Sequence, residues 1–299
     1  MDIYYDPIYT NGIDDRSRFP KERYQLIYNE IVNSNYNKYI DFILPEKAKI
    51  TDILLAHDSD YVKKFFEDKL DIKEKRKIGL LPWNNNIFER TLKIMGGSIG
   101  ALKSSINSSI SANMAGGTHH AFFHYGAGYC IFNDIAVCSK IAIRDFSLKN
   151  IIIVDLDVHQ GDGTASILKG YDNLFTFSMH CEKNYPLKKE KSNLDINLRK
   201  GTKNDEYLDI LKKNLRSLEE IKSDIIFFQA GVDSLDSDNL GHLLLDHNGL
   251  KNRNEMVLEF AKKKGNPIVI FMGGGYSKPI KHTVKAFKDL FIQCALFRF

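Results

Sequence analysis

The sequence has few cysteines and no long apolar run. Four cysteines occur among 299 residues, and none belongs to a Cys-x-x-Cys pair, so neither a disulfide framework nor a cysteine zinc site is expected. No run reaches the roughly 18 apolar residues that a membrane span needs, and residues 1–7 lack the apolar core of a signal peptide. We therefore expect a cytoplasmic protein, and the many Asn, Lys and Ile residues point to a bacterial source.

The charge balance and the glycine spacing exclude other classes. The 42 basic and 38 acidic residues leave a net charge of only +4, which does not predict nucleic-acid binding. Neither G-x-G-x-x-G nor G-x-x-x-x-G-K-[S/T] follows an apolar run, so no phosphate-binding loop is predicted. Because no repeat or Pro/Gly/Ser linker divides the chain, we expect one domain over residues 1–299.

Short apolar runs alternate with stretches of helical periodicity. Strands are predicted at 111–114, 150–155, 174–179, 224–229 and 267–272. Helices are predicted at 87–109, 133–144, 204–221, 252–264 and 281–296. Runs that are apolar on both faces favour a parallel sheet covered by helices on both sides. The predicted fold is therefore α/β with a mostly parallel central sheet.

A metal site is indicated by polar residues that follow two of these runs. Asp157 and His159 are two residues apart after the 150–155 run, and Asp233 follows the 224–229 run. Side chains at i and i+2 of an extended chain point the same way, although a surface turn can carry the same spacing. An Asp/His/Asp set leaves a coordination position for water, as catalytic zinc sites do. Oxygen ligands keep Fe²⁺ and Mn²⁺ as alternatives.

Two adjacent histidines and one tyrosine are candidates for proton transfer. His119 and His120 follow a Gly-Gly pair, and Asp155 and Asp162 are carboxylates that could orient them. Such dyads could serve as a general base and an electrostatic partner. Tyr276 ends the Gly-Gly-Gly-Tyr segment, where its hydroxyl could donate to an oxyanion. An incidental histidine pair and an exposed turn tyrosine are the simpler alternatives.

These residues belong to motifs that resemble those of the zinc-dependent histone deacetylase superfamily, which has the arginase/deacetylase fold. The motifs occur in the family's order, and the segment 179–198 looks most like the class IV branch and its bacterial relatives. They are GGTHHA (116–121), GYCIFND (128–134), DLDVHQGDG (155–163), FSMH (177–180), AGVD (230–233) and GGGY (273–276).

The resemblance implies a role for each matching residue. It implies that Zn²⁺, with Fe²⁺ as the alternative, is bound by Asp157, His159 and Asp233. The implied catalytic residues are His119, His120, Tyr276, Asp155 and Asp162. A structural K⁺ is implied at Asp155 and Ser178, together with the backbone carbonyls of Asp157, His159 and Met179. The implied walls of the substrate channel are Gly128, Tyr129, Tyr185, Leu240 and Gly274, and Arg23 matches an arginine behind the metal.

The expected function is hydrolysis of an acyl-lysine amide, with acetyl as the favoured acyl group. Long-chain fatty-acyl lysine, acetylpolyamines and small acylated metabolites are alternative substrates; an arginase-type ureohydrolase and a non-catalytic binding protein are remoter alternatives. The expected partner is an acylated lysine peptide, an acylated protein or an acylated small amine, with neither a membrane nor nucleic acid. Thr118 and Tyr129 depart from the family's usual residues, which leaves the acyl selectivity open.

Overall fold

All 299 residues are described by a computed structural model. Eight strands form one sheet in which every pair is parallel, in the order β2-β1-β3-β8-β7-β4-β5-β6. The strands are β1 (Asp2–Tyr4), β2 (Asp41–Ile43), β3 (Ile110–Asn113), β4 (Ile151–Asp155), β5 (Leu174–Cys181), β6 (Leu194–Leu198), β7 (Ile225–Gln229) and β8 (Ile268–Phe271).

Eleven helices connect the strands, and a short 3₁₀ helix covers Asn37–Tyr39. None of the helices is long and apolar enough to cross a membrane. The helices are α1 (Ile8–Asn11), α2 (Glu22–Val32), α3 (Ile50–Ile53), α4 (Ser59–Phe66), α5 (Ile72–Ile78), α6 (Ile87–Ser108), α7 (Asp134–Phe146), α8 (Asp162–Leu168), α9 (Asn204–Leu218), α10 (His247–Lys264) and α11 (Lys281–Leu296).

The central strands are buried on both faces, as their continuous apolar sequences predict. Every residue of β3, β4, β7 and β8 is buried. Because successive side chains of a strand point to opposite faces, helices must cover both sides of the sheet. The α/β fold with a parallel sheet, expected from the sequence, is confirmed, and all five predicted strands and all five predicted helices are present.

Local capping explains where several helices begin. The Asp71 side chain accepts from the backbone N–H groups of Lys73 and Glu74, and Glu74 accepts from the Asp71 N–H in return, which is a capping box. The Asp246 side chain accepts from the N–H of Gly249. This cap starts α10 at residue 247, five positions before the periodicity at 252 predicts it.

The sequence patterns missed β1, β2 and β6. The first two have three residues each, too few to show any periodicity. Four of the five residues of β6 are partly buried or exposed at the sheet edge, and no apolar run marks that strand. Strand β1, in the segment directly after Met1, is an inner strand of the sheet, because it pairs with β2 on one side and with β3 on the other.

Truncation of a central side chain should test the packing. Phe227 is fully buried on β7 and packs edge-to-face on Phe271, with ring centroids 5.3 Å apart. We expect Phe227→Ala to lower the free energy of unfolding by about 3–5 kcal/mol in denaturant titrations. Phe123 is 42% exposed, and Phe123→Ala should cost less than about 1 kcal/mol. Equal losses in both variants would contradict this description of the core.

Candidate active site

The candidate residues lie at the carboxyl ends of five adjacent strands. The loops after β3, β8, β7, β4 and β5 carry His119 and His120, Tyr276, Asp233, Asp157 and His159, and Tyr185, respectively. The carboxyl edge of a parallel sheet is where open α/β folds form their sites. The parallel sheet thus brings together residues that are up to 157 positions apart in the chain, from 119 to 276.

Asp157, His159 and Asp233 form a compact, buried group of potential ligands. One ligand atom from each lies within 4.8 Å of the other two. His159 Nδ1 is 3.1 Å from Asp157 Oδ1 and 3.2 Å from Asp233 Oδ2. Backbone amides fix the carboxylates, because Val158 N–H donates to Asp233 Oδ1 and Gly274 N–H donates to Asp157 Oδ2.

The electrostatics of this group fit a divalent cation. Asp233 Oδ2 is buried and accepts no well-directed hydrogen bond, because the His159 Nδ1 that lies 3.2 Å away pairs with Asp157 Oδ1. Burial together with the Asp157 charge raises the pKa of Asp233 to about 7. Burial lowers the pKa of His159, but the contacts with Asp157 and Asp233 outweigh it and raise the pKa to about 10. Two buried carboxylates beside an imidazole are costly unless a positive charge joins them. The donor set therefore suits a metal that accepts oxygen and nitrogen ligands.

Two histidine–aspartate pairs stand beside this group. His119 Nδ1 is 2.9 Å from Asp155 Oδ2, and His120 Nδ1 is 2.7 Å from Asp162 Oδ1. The two imidazole centroids are 4.0 Å apart, so the Gly116-Gly117 turn does aim both rings into one place. His119 Nε2 lies 3.9 Å from Asp157 Oδ1, which joins the dyads to the ligand group.

Burial and neighbouring charges give the two histidines opposite protonation preferences. Burial lowers the pKa of His119, but the Asp155 charge outweighs this and raises the pKa to about 9. Burial and the nearby His119 charge lower the pKa of His120 to about 4. The two neighbouring histidines are thus held in different protonation states, an arrangement that is common at catalytic sites.

Tyr276 faces the same cavity from the other side. Its backbone N–H donates to Asp238 Oδ2, and its ring centroid is 5.8 Å from that of Tyr129. Its side chain is partly buried rather than solvent-exposed, which argues against a simple surface turn. Burial raises the pKa of the Tyr276 phenol above its usual range, so its hydroxyl keeps its proton and can donate.

One cavity of about 880 Å³ connects these groups to solvent. All five predicted channel residues line it, and Tyr185 packs edge-to-face on His120 with a centroid distance of 4.8 Å. Five other candidate residues do not line the cavity, namely Asp155, Asp162, Asp233, Ser178 and Met179. These residues lie behind the wall, and Asp155 is the cross-strand neighbour of Ser178 in the β4–β5 pair.

Comparison with known proteins agrees with this geometry. The sequence model of the histone deacetylase domain matches residues 17–289. The chain belongs to the histone deacetylase family. An uncharacterized cyanobacterial protein from Picosynechococcus is 38% identical over 94% of both chains. Histone deacetylase 2 of Arabidopsis thaliana is 28% identical over 89% of this chain and 71% of that protein. The acetoin utilization protein AcuC of Staphylococcus aureus is 25% identical over 92% of this chain and 76% of that protein.

Membership in the histone deacetylase family makes this protein a hydrolase that acts on amides. The resemblance to that superfamily, noted from the sequence motifs, is thereby confirmed. Its relation to the class IV branch stays a prediction, as does the single-domain boundary at residues 1–299.

The structure adds supporting residues that sequence reasoning missed. Asp134 accepts from the N–H groups of Gly117 and Thr118 and so holds the turn before the histidine pair. Gln229 Nε2 donates to the Gly117 carbonyl.

Arg253 supports the loop that carries Asp233. It is fully buried and donates to the carbonyls of Ala230 and Gly231, which precede Asp233. Asp134 lies inside the GYCIFND motif, whereas no local pattern marks Gln229 or Arg253.

His57 secures the loop that carries the histidine pair. It lies 2% exposed, its Nδ1 is 3.0 Å from the Phe122 carbonyl, and its Nε2 accepts from the Asn133 N–H at 2.8 Å. Only the neutral imidazole with its proton on Nδ1 satisfies both contacts. Burial, which is opposed only weakly by backbone contacts, lowers the pKa of His57 to about 4.

The free energy of unfolding should fall as the pH is lowered, because protonation of His57 is unfavourable in the folded protein. Between its unfolded pKa of about 6.5 and its folded pKa of about 4, the unfolded chain binds a proton that the folded chain excludes. The contribution is intact above pH 6.5 and is lost progressively down to pH 4, by an amount on the order of 3 kcal/mol. His57→Gln, whose amide can make both contacts, should flatten the pH dependence of unfolding midpoints in urea over this window. The same slope in both proteins would contradict the assignment.

Proposed function

We propose that this protein is a zinc-dependent deacylase that removes short acyl groups, acetyl above all, from lysine side chains. One observation carries the proposal. A buried Asp/His/Asp group, two histidine–aspartate dyads and a phenol meet at the wall of one cavity, with dyad contacts of 2.9 Å and 2.7 Å. This set contains a metal site, a proton acceptor and an oxyanion donor, which are the three functions that amide hydrolysis by water requires.

Asp157, His159 and Asp233 would hold the metal, with Zn²⁺ favoured and Fe²⁺ as the alternative. A divalent cation there supplies Lewis acidity, which makes water a better nucleophile and the amide carbonyl a better electrophile. The orphan Oδ2 of Asp233 and the 3.1 Å contact between His159 and Asp157 support this assignment. The amide donors Val158 and Gly274 orient the two carboxylates, as outer partners of metal ligands commonly do.

The histidine pair would move the protons. His120, oriented by Asp162, accepts the proton of the attacking water and later gives it to the amine that leaves. His119, held by Asp155, provides positive charge beside the reacting centre, although the two roles could be exchanged. The tilted arrangement of the rings, 4.0 Å apart, supports a shared role at one reacting group.

Tyr276 would donate its hydroxyl to the carbonyl oxygen as that oxygen gains negative charge. The contact of its backbone with Asp238 fixes the turn that carries it. The protonated state of the phenol is the one that can donate. Oxyanion donors of this kind act best when they are positioned before the substrate binds.

Tyr129, Tyr185 and Leu240 would line the passage for the lysine methylenes. Tyr185 is 40% exposed and Leu240 is 41% exposed, which suits residues at the mouth of a channel. Aromatic walls accept an apolar stem and leave the charged remainder of the substrate in water. A structural K⁺ near Asp155 and Ser178 is also proposed, supported by their cross-strand position.

Several observations disfavour the alternative functions. Asp157 is the one acidic residue lining the cavity, and Arg18, Arg76 and Lys77 lie around it, which is a poor environment for a polycationic polyamine. A side chain at Gly161 would strike the Asp155 carboxylate, so the second acidic ligand that an arginase-type site needs there has no space. A binding protein without activity would not require the complete set of site residues.

Separate variants should distinguish metal binding from proton transfer. Asp233→Ala is expected to lose most of its bound metal and its activity, because it removes one of three ligands. His120→Ala should keep the metal and lose about 100-fold or more in kcat, the usual scale for general acid–base catalysis. Elemental analysis of both purified variants, together with turnover of an acetyl-lysine peptide, measures the two effects. Full metal occupancy in Asp233→Ala would contradict the ligand assignment.

Removal of one hydroxyl should test the oxyanion role. Tyr276→Phe is expected to lower kcat by about 100- to 1,000-fold with little change in metal content. Tyr125→Phe is the matched control, because Tyr125 stacks on Phe122 and does not line the cavity, and it should keep normal turnover. Near-normal kcat in Tyr276→Phe would show that another group donates to the oxyanion.

A further inference from the structure

Two buried arginines stand at the inner end of the cavity without any acidic partner. Arg23 is 3% exposed and Arg90 is 4% exposed, and both line the same cavity as the histidine pair. Neither guanidinium forms an ion pair with a carboxylate of the chain, and the two share the Tyr24 hydroxyl at 3.3 Å and 3.4 Å. Two like charges are therefore held close together in a buried place.

The remaining contacts of these arginines are with neutral groups. Arg23 Nη1 donates to the Gly275 carbonyl, and its Nε is buried without a partner. Arg90 Nε donates to the Tyr9 carbonyl, while its Nη1 makes no hydrogen bond within the protein. Aromatic faces complete the surroundings, with Phe19 at 4.9 Å from Arg23 and 5.9 Å from Arg90.

Neutral contacts cannot fully replace an anion as the partner of a buried guanidinium group. Carbonyl oxygens and aromatic rings carry partial charge only, whereas burial removes the full hydration of each cation. Arginine forks are suited to carboxylate, which they bind through two parallel hydrogen bonds. Arg90 Nη1 has no partner and belongs to a residue that lines the cavity, which is consistent with a carboxylate that comes from outside the chain.

The arginines lie directly behind the reacting centre. The turn from Gly273 to Tyr276 separates them from the ligand group, since Arg23 donates to Gly275 while Gly274 N–H donates to Asp157 at 2.8 Å. The Arg23 guanidinium carbon is 5.7 Å from the Tyr276 ring centroid. An acyl group whose carbonyl lies beside Tyr276 would therefore extend its far end toward Arg23 and Arg90.

We propose that Arg23 and Arg90 bind the terminal carboxylate of dicarboxylic acyl groups, so that succinyl-lysine and similar acyl-lysines are preferred over neutral acyl-lysines of equal length. The inference rests on the proposed deacylase function and names its substrate class. The reaction stays a hydrolysis. The amide C–N bond breaks, a C–O bond to water forms, and the products are the free lysine amine and a dicarboxylate.

The test compares two acyl groups of the same carbon number on one peptide. Succinyl-lysine ends in a carboxylate, and butyryl-lysine ends in a methyl group in its place. For the zinc-loaded enzyme we expect kcat/KM for succinyl to exceed that for butyryl at least tenfold. A ratio of one or less would overturn the inference, whatever the activity on acetyl-lysine.

Variants should show where the preference arises. Arg90→Met keeps an unbranched apolar stem and removes the guanidinium and its charge, and it should lower the succinyl-to-butyryl ratio at least tenfold. Because the ratio is taken within each variant, a general loss of activity cancels. Arg90→Lys should restore part of the ratio. An unchanged ratio in a folded Arg90→Met protein would overturn the assignment.

A matched control removes a cation from the cavity mouth. Arg76 is exposed and lines the outer part of the cavity, so Arg76→Met tests general attraction of anions. The succinyl-to-butyryl ratio of Arg76→Met should stay close to that of the unmodified protein. The succinyl preference of the unmodified protein should also persist at high salt, because salt screens exposed charges more than buried ones. An effect as large as that of Arg90→Met would place the selection at the mouth and contradict the proposal.

A second measurement covers the case in which Arg90→Met does not fold. Succinate should inhibit the unmodified enzyme at a concentration at least tenfold lower than butyrate does, and equal inhibition would contradict the inference. Acetyl-lysine hydrolysis distinguishes a failure of the deacylase function from a failure of the arginine role. No hydrolysis of any acyl-lysine peptide would refute the deacylase function itself, whereas acetyl hydrolysis without a succinyl preference would refute only the role of the arginines.

Discussion

Four buried carboxylates at one edge of the sheet impose the main constraint on this molecule. Asp155, Asp157, Asp162 and Asp233 are each 3% exposed or less, and like charges in such surroundings are stable only when each has a partner. Three imidazoles answer this need in part, through contacts of 2.7–3.2 Å. The Asp233 oxygen that accepts no hydrogen bond marks where the balance is incomplete, and a bound cation would complete it.

The parallel sheet is the means by which the chain meets this constraint. Five neighbouring strands end at one edge and share the site, although β4 and the segment after it carry three of the four carboxylates. Backbone amides of the same loops then orient the carboxylates, as Val158 N–H does for Asp233. A second set of buried groups, including Arg253 and His57, holds those loops from behind. Rigid loops are a requirement here, because a misdirected carboxylate would be both unpaired and buried.

The sequence predicted what depends on local pattern. Apolar runs such as 150–155 predict the central strands, and the polar positions after them predict the candidate metal ligands and the histidine–aspartate dyads. No element was predicted in the first 86 residues, since β1 and β2 have only three residues each and four of the five helices there have eight residues or fewer. The 11-residue α2 was missed as well. Arg90 could not be singled out either. It lies on a long amphipathic helix, where an arginine usually faces solvent, and only the approach of α1 and α2 encloses it.

The two charged regions of the cavity have a common chemical consequence. Acidic groups surround the ligand set on one side of the Gly273–Tyr276 turn, and Arg23 and Arg90 occupy the other side. In the proposed hydrolysis, a neutral amide placed at the turn would gain negative charge on its oxygen, and that charge would develop toward the Tyr276 hydroxyl with Arg23 behind it. A fixed positive field in that position stabilises the transition state more than the ground state. The arginines that select an acyl group would then also lower the barrier to its removal.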